Sequence, residues 1–343
     1  MYERQTYMEN KKKIGEFLLN YSLYIVLGLM ILAFIITDIN FISIRNITNI
    51  LSQASTRGIL ALGVAGLIVL QGTDLSSGRI LGLTAIISAS FLQSVTYTSR
   101  MYPDLPALPL ILPFLAVVLV GACFGAMNGF GVAKLKIHAF IVTLGTQLIA
   151  YGLSCLYIDR PPLGAQPIAN FDDRYTRLVN GSFDLGFIQI PYLILYLAIA
   201  AIVMWFIWNK TKLGKNMFAI GGNPEAAAVS GVNLFTNIMA VFIISGILYG
   251  IAGFLEAGRV GSATSNTGIN YDLDAISACV VGGVSFSGGV GTIPGVILGT
   301  IILQFINYGL NFAGVSPYWQ YIIKGGIIIL AVSIDVRKYI VRR

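Results

Sequence analysis

The sequence predicts an all-α integral membrane protein, on the grounds of its composition, its apolar segments and the placement of its basic residues. Of the 343 residues, 56% are hydrophobic and 11% are charged, whereas soluble domains carry about 25% charged residues. The mean hydropathy is +0.79. Because a bilayer-spanning helix takes about 20 apolar residues, the chain has room for about ten spans. We therefore expect residues 1–343 to form one transmembrane domain.

Apolar segments mark the predicted helices in chain order. Lipid offers no partner to backbone N–H and C=O groups, so each span must be helical. The first segment follows Lys11, Lys12 and Lys13 and lacks a small-residue cleavage site, so we expect an uncleaved span after a cytoplasmic tail of residues 1–20. The predicted spans lie near residues 20–37, 57–71, 79–97, 108–133, 139–158, 190–208, 234–255, 273–284, 292–311 and 319–335.

Basic residues predict the orientation of these spans. With a cytoplasmic N-terminus, thirteen of the 22 Lys and Arg residues fall on the cytoplasmic side, and seven, including Arg57 and Arg259, fall on the other. The positive-inside rule therefore favours cytoplasmic positions for both termini. The net charge of +7 then reflects contact with membrane lipid headgroups, and we expect no nucleic-acid partner.

The number of spans and two unusual segments predict a five-plus-five inverted repeat with broken helices. A set of five spans reverses direction across the membrane, so its repeat is inverted. The segment 38–56 would then be the external counterpart of the polar segment 211–233. Residues 71–79 and 282–291 are rich in Gly and Ser, which predicts broken helices that line a path; close helix packing at glycine is the alternative.

The polar segment 211–233 predicts a short docking helix on the surface. Asn223 can cap a helix, Pro224 fits a first turn that needs no N–H donor, and Glu225 places negative charge at the positive end of the helix dipole. Gly231 supplies a stop. The expected element is an alanine-rich helix of about two turns that a partner protein contacts.

The chain lacks the residue patterns of an enzyme. Its one histidine, His138, stands beside Lys134 and Lys136 and has no partner for a triad or a metal site. The sequence contains no G-x-x-x-x-G-K-[ST] phosphate-binding loop. We therefore expect no catalytic residue, no bound cofactor and no metal.

Carboxylates inside the spans are the groups that an ion-coupled carrier would need. We expect the few carboxylates present to serve in ion pairs or helix caps instead, which argues against an ion-coupled carrier. An ion-coupled secondary transporter and a membrane scaffold without transport are the two alternative functions. These residues are Asp74, which is expected to pair with Arg79 or to cap the third span, Glu256 beside Arg259, and Asp272 and Asp274 at the start of the eighth span.

Long motifs resemble the permease subunits of bacterial sugar ABC importers of the ribose/galactose type, from about residue 21 onward. The motifs are QGTDLSSGR at 71–79, GKNMFAIGGNPEAAAVSGVN at 214–233, LEAGRVGSAT at 255–264, LDAISACVVGGVSFSGGVGT at 273–292 and SPYWQYIIKG at 316–325.

The resemblance implies a homodimer in the bacterial cytoplasmic membrane that transports a monosaccharide by alternating access. Galactose and its methyl glycoside are the expected substrates, with ribose or glucose as alternatives. A separate ATP-binding subunit with two cassettes would hold ATP and Mg, and an extracytoplasmic sugar-binding protein would deliver the sugar.

The resemblance also implies roles for particular residues. The helix that couples ATP hydrolysis to transport maps onto Gly222, Asn223, Pro224, Glu225, Ala226, Ala227 and Ala228. From the broken segments and neighbouring polar positions, we expect the path or its gate to be lined by Asp74, Ser76, Ser77, Asn266, Ser285, Phe286 and Asn307.

Overall fold

The computed structural model describes residues 28, 31–32, 34–36, 38–159, 164–184, 186 and 189–340. The predicted tail 1–20 and most of the predicted first span lie outside these residues. Helices dominate the described part of the chain, after a 3-10 turn at Ile39–Ile42. They are α1 (Ile44–Val69), α2 (Ser77–Phe91), α3 (Ile111–Ala133), α4 (Ala139–Ile158), α5 (Asp173–Asn180), α6 (Tyr192–Lys210), α7 (Lys212–Gly222), α8 (Pro224–Val229), α9 (Leu234–Val260), α10 (Tyr271–Val281), α11 (Ile293–Phe312) and α12 (Pro317–Ile340).

Four short strands accompany the helices. Two pair antiparallel as β1 (Ile168–Ala169) with β4 (Ser262–Ala263), and two as β2 (Ser182–Asp184) with β3 (Gln189–Pro191). They lie in the connections before α6 and after α9, so the bundle itself is helical.

Six of the described helices are long and apolar enough to cross a membrane, namely α1, α3, α4, α6, α9 and α11. The chain is therefore a multi-pass membrane protein. The apolar helix α2 is shorter, with 15 residues. The predicted span 273–284 is an 11-residue helix, α10, whose length of roughly 16 Å covers about half of a hydrocarbon core.

Helices α1 and α9 form the centre of the bundle, and glycine allows the close approach of α9 to α3. A Cβ added at Gly246 would overlap the main-chain oxygen of Gly121, and one added at Gly121 would overlap that of Gly246. Such small-residue contacts are typical of membrane helices. At the periphery, α3, α4 and α6 expose large apolar side chains such as Leu119, Leu156 and Ile202. That surface suits lipid.

The prediction that residues 38–56 connect two spans is wrong for most of that segment, because α1 already begins at Ile44. Its hydroxyl groups bond within the helix: Ser52 donates to the Thr48 oxygen at 2.8 Å and Ser55 to the Leu51 oxygen at 2.7 Å. Polar residues satisfied in this way remain compatible with a membrane helix. Most of the segment is therefore the first part of α1 and not a connecting loop.

Helix α10 starts level with the middle of α1. Asp274, in the first turn of α10, contacts Arg57 at the midpoint of α1. Farther along, the Gly289 N–H donates to the oxygen of Val69, the last residue of α1, at 2.9 Å. The helix α10 and its following loop thus run beside the second half of α1. Arg57, expected on the external side at the start of the predicted span 57–71, lies inside the bundle.

A small cap, built around α5, covers the end of α9. The Asp172 carboxylate caps α5 by accepting from the Arg174 N–H at 2.8 Å. Hydrogen bonds from the Arg174 side chain lower the pKa of Asp172. The hydroxyl of the buried Tyr175 donates to the main-chain oxygen of Phe254 on α9. The cap is therefore attached to the central helix.

Candidate functional site

The predicted surface helix is α8. Asn223 Oδ1 accepts from the Ala226 N–H at 3.0 Å, Pro224 is the first helical residue, and Gly231 follows with a φ of 83°. Ala227 is buried against the bundle, whereas Val229 is 91% exposed. The remaining predicted coupling residues are Gly222, Glu225, Ala226 and Ala228, all of them exposed.

The helix α7, which leads directly into α8, was not predicted. The Thr211 hydroxyl caps it by accepting from the Gly214 N–H at 3.3 Å. Its buried residues are Gly214, Met217, Ile220 and Gly221. These positions are spaced by three, three and one, which is the helical pattern of a packed face and could have predicted the helix.

Both interrupted segments meet at the end of α7, at a contact that we name the Gly221 junction. The Gln71 amide donates to the main-chain oxygens of Gly221 at 2.8 Å and Ser287 at 3.0 Å. The bond from Gly289 N–H to the Val69 oxygen closes the junction. The residue before the predicted coupling segment therefore contacts the loop 71–79 and lies beside the loop 282–291.

Asp74 lies in a buried hydrogen-bond network at the start of α2. One carboxylate oxygen accepts from the Ser76 N–H at 2.8 Å and the Ser76 hydroxyl at 2.6 Å; the other accepts from the Tyr249 hydroxyl at 3.0 Å. The Asn128 amide donates to the Ser76 hydroxyl at 2.9 Å. The network joins the loop before α2 to α3 and α9.

The expected ion pair between Asp74 and Arg79 is wrong. The Arg79 guanidinium donates to the main-chain oxygen of Ser265 at 3.1 Å and stacks 4.3 Å over the ring of Tyr151. The partners of Arg79 therefore lie on α4 and in the connection after β4, and Asp74 is not among them. The carboxylate of Asp74 is bonded beside the first turn of α2, next to the capping position.

The predicted path residues occupy separate places in the structure. They are Asp74, Ser76 and Ser77 in the buried network, Asn266 exposed between β4 and α10, Ser285 and Phe286 in the loop after α10, and Asn307 on α11, where its amide donates to Gln304 at 3.0 Å.

The expected pairing of Glu256 with Arg259 is confirmed, and the structure adds partners to it. Arg259 donates to both carboxylate oxygens, at 2.9 and 2.7 Å. The hydroxyls of Thr56 and Tyr271 donate to the same carboxylate, each at 2.7 Å. Glu256 is fully buried. All its hydrogen-bond partners come from α1, α9 and α10, so this group holds three helices together.

A second charged group lies one turn away and was not predicted as a unit. Asp274 pairs with Arg57 on α1 and accepts from Lys324 on α12 at 3.0 Å. The Arg57 guanidinium also stacks 4.1 Å from the centre of the Tyr271 ring. Charges at this depth in a membrane bundle are usually functional. The only signal in the sequence was the occurrence of these charges within or beside apolar segments.

A groove of about 700 Å³ between α3, α6 and α9 has an apolar lining. Its one hydroxyl, on Tyr196, donates to the Leu178 oxygen at 2.8 Å. A sugar would find almost no hydrogen-bonding group there. The groove therefore suits an apolar ligand such as a lipid chain and not a monosaccharide.

The buried carboxylates of Asp74 and Glu256 accept hydrogen bonds from hydroxyl groups, from one backbone N–H and from the Arg259 guanidinium. Across the described ranges, no group of three or more His, Cys, Asp or Glu side chains is placed to hold a metal ion.

Comparisons with known proteins agree with this architecture. Residues 46–332 match the family model of the branched-chain amino acid transport system / permease component. The chain is 52% identical to the galactose/methyl galactoside import permease protein MglC of Haemophilus influenzae, over 96% of this chain and 97% of that protein. It is 51% identical to the Escherichia coli protein of the same name, over 96% and 98%.

A more distant relative is the ribose import permease protein RbsC of Escherichia coli, 35% identical over 91% of this chain and 93% of that protein. No solved structure matches the chain. These matches confirm the resemblance to sugar importer permeases. The chain belongs to the family of branched-chain amino acid transport system permease components.

Proposed function

We propose that this chain is the transmembrane permease subunit of an ATP-driven ABC importer that carries galactose or methyl galactoside across the bacterial cytoplasmic membrane. The observation that carries the proposal is near-full-length identity of 51–52% to galactose/methyl galactoside permeases. Identity to the ribose permeases is 35–36%. This difference favours galactose over ribose.

The energy for transport comes from a separate subunit with two ATP-binding cassettes, which holds ATP and Mg. The predicted coupling segment 222–228, which runs from the last residue of α7 into α8, is the part that this subunit moves. The Gly221 junction supports this role because the Gln71 amide, in one interrupted loop, donates both to Gly221 of α7 and to Ser287 in the other interrupted loop. An extracytoplasmic sugar-binding protein delivers the sugar, and a second copy of this chain completes the path. Alternating access then needs no covalent step.

The proposed topology has ten spans in an inverted repeat, with both termini and the segment 211–233 in the cytoplasm. Two features support it. A long helix followed by a short one occurs twice, as α1 with α2 and α9 with α10, in lengths of 26 and 15, and 27 and 11 residues. The two long helices cross where the Ser245 hydroxyl donates to the Gly63 oxygen at 2.8 Å. The short helices α2 and α10 would each span the membrane together with the loop beside them.

Reconstitution of the chain in vesicles with the ATP-binding subunit and the sugar-binding protein tests this function. We expect galactose to accumulate inside only when ATP is supplied on the cassette side. Uptake that continues without the ATP-binding subunit and collapses with an ion gradient would instead identify a secondary transporter. Complex formation without sugar flux would identify a scaffold.

Charge reversal on the coupling helix should separate ATP hydrolysis from uptake. Glu225 is exposed in the first turn of α8, so Glu225→Lys places a like charge against any basic groove that holds this helix. Like-charge contacts cost several kcal/mol, so we expect uptake to fall at least about tenfold while ATPase activity continues. The matched control is Glu225→Gln, which removes the charge without reversing it and should have a smaller effect. Normal uptake by Glu225→Lys would contradict the role of α8.

A further inference from the structure

Three charged side chains meet in the middle of the bundle, on a surface that differs from the apolar periphery. Arg57 lies at the midpoint of α1, Asp274 in the first turn of α10 and Lys324 on α12. Their side chains are 18%, 12% and 26% exposed. Partly exposed charges at this depth are strongly disfavoured in contact with lipid and usually face a water-filled path or another protein. This surface therefore borders a path or the second copy.

A cavity of about 10 Å³ opens beside these charges, between α1, α10 and α11. That volume is enough for one water-sized group. Its lining residues are Arg57, Asp274, Ala275, Ala278, Thr300, Leu303 and Gln304.

Two hydrogen-bond donors at this cavity have no acceptor among the described residues. They are Arg57 Nε and Gln304 Nε2, both buried atoms. Gln304 is 2% exposed as a residue. An unpaired donor in the interior costs free energy and calls for an explanation.

Other atoms of the same two side chains already have partners. Arg57 donates through Nη1 to Asp274, and its face is covered by Tyr271. Gln304 Oε1 accepts from the Asn307 amide. Each residue therefore keeps a buried, unpartnered nitrogen, Nε of Arg57 and Nε2 of Gln304, that can donate to a group in the cavity. Two donors and room for one water-sized group fit a single oxygen atom with two lone pairs, such as that of a hydroxyl.

We propose that Arg57 and Gln304 bind a hydroxyl oxygen of the transported monosaccharide at the middle of the membrane. This site rests on the proposed sugar transport and adds to it a contact point within the chain. A monosaccharide is much larger than the cavity, so only one hydroxyl enters it while the ring lies against the exposed charges. A water molecule supplies the same neutral oxygen when no sugar is present.

Gln304→Leu tests the site, because leucine keeps the approximate size and removes the unpaired donor. A purely structural side chain with an unsatisfied donor should be replaced by leucine with equal or higher stability and no effect on transport. A ligand-binding side chain should instead lose transport without loss of stability. The control is Gln320→Leu, since the Gln320 amide is buried and fully bonded, to Asn311 and to the Val315 oxygen, each at 2.9 Å.

Uptake is measured in the reconstituted system with sugar-binding protein preloaded with D-galactose and present at saturation, so that the affinity of that protein does not limit the rate. Thermal unfolding of each purified variant is measured in parallel. We expect uptake per folded molecule to fall about fivefold in Gln304→Leu, the effect of one lost hydrogen bond. Its Tm should stay close to that of the wild type, because removal of the unpaired donor offsets loss of the bond that half-buried Asn307 donates to Gln304. Gln320→Leu should show a lower Tm and normal uptake per folded molecule.

Wild-type uptake by Gln304→Leu would overturn the site while leaving the proposed function intact. A lower Tm for Gln304→Leu, with normal uptake per folded molecule, would also overturn it, because the amide would then be a structural group. Absence of galactose uptake by the wild-type chain under the same conditions would overturn the proposed function, and the site with it.

Discussion

Gly221→Ala is expected to lose most sugar uptake, because the added methyl group forces α7 away from the ends of both interrupted loops. A Cβ at this position would overlap the main-chain oxygen of Val69 and lie 2.7 Å from the nitrogen of Gly289. These are backbone atoms, which cannot rotate away as a side chain would. Overpacking of this kind costs about 1–3 kcal/mol. The shift also breaks the hydrogen bond from Gln71 to Gly221.

Two control variants make this expectation specific. Gly222→Ala should keep its stability, because a Cβ there meets no atom within 4 Å. Gly145→Ala, on the exposed side of α4, is equally unobstructed and should keep both its stability and its uptake. We expect ATP-driven uptake by Gly221→Ala to be at least about tenfold lower than by Gly145→Ala. A tenfold difference corresponds to about 1.4 kcal/mol of free energy. Equal uptake by the two variants would show that the Gly221 junction transmits nothing.

Glu256→Ala is expected to prevent accumulation of folded protein. The carboxylate is the partner of the Arg259 guanidinium and of two hydroxyl groups, so its removal leaves a largely buried cation without its ion pair. Removing one member of a buried ion pair typically costs about 3–5 kcal/mol. That is a large part of the total stability of about 5–15 kcal/mol of a typical protein.

The yield of monodisperse protein in mild detergent and its Tm measure this effect. Glu256→Gln keeps an acceptor oxygen for a hydroxyl and should be less harmful. The double variant Glu256→Leu with Arg259→Met removes both charges and should recover part of the lost stability, because the isolated cation is gone. A Glu256→Ala protein with wild-type Tm would show that Arg259 finds another partner.

Local chemistry in the sequence was sufficient to predict α8. The cap from Asn223, the proline at position 224 and the glycine at position 231 act within a few residues, so their effect does not depend on the rest of the fold. The Gly- and Ser-rich composition likewise identified both interrupted loops. Their meeting at Gly221 could not be predicted, because its hydrogen bonds from Gln71 join residues 150 and 216 positions apart.

The charged groups were misplaced for a related reason. Arg57 follows a polar stretch that resembles a loop, and only the packing of α10 and α12 against α1 shows that its charge has partners inside the bundle. Asp74 was expected to bond its sequence neighbour Arg79, but Tyr249, 175 residues away, occupies the second carboxylate oxygen. Partner choice in a bundle depends on helix placement, which hydrophobic periodicity does not specify.

The Gly221 junction contains only peptide groups and one neutral amide. Its acceptors are the main-chain oxygens of Val69, Gly221 and Ser287, and its donors are the Gly289 N–H and the Gln71 amide. None of these groups titrates in the physiological range, and none carries a net charge that salt could screen. Movement passed through this contact should therefore be indifferent to ionic strength and pH. Any dependence of coupling on salt would then arise at the exposed face of α8, where Glu225 would meet the proposed partner.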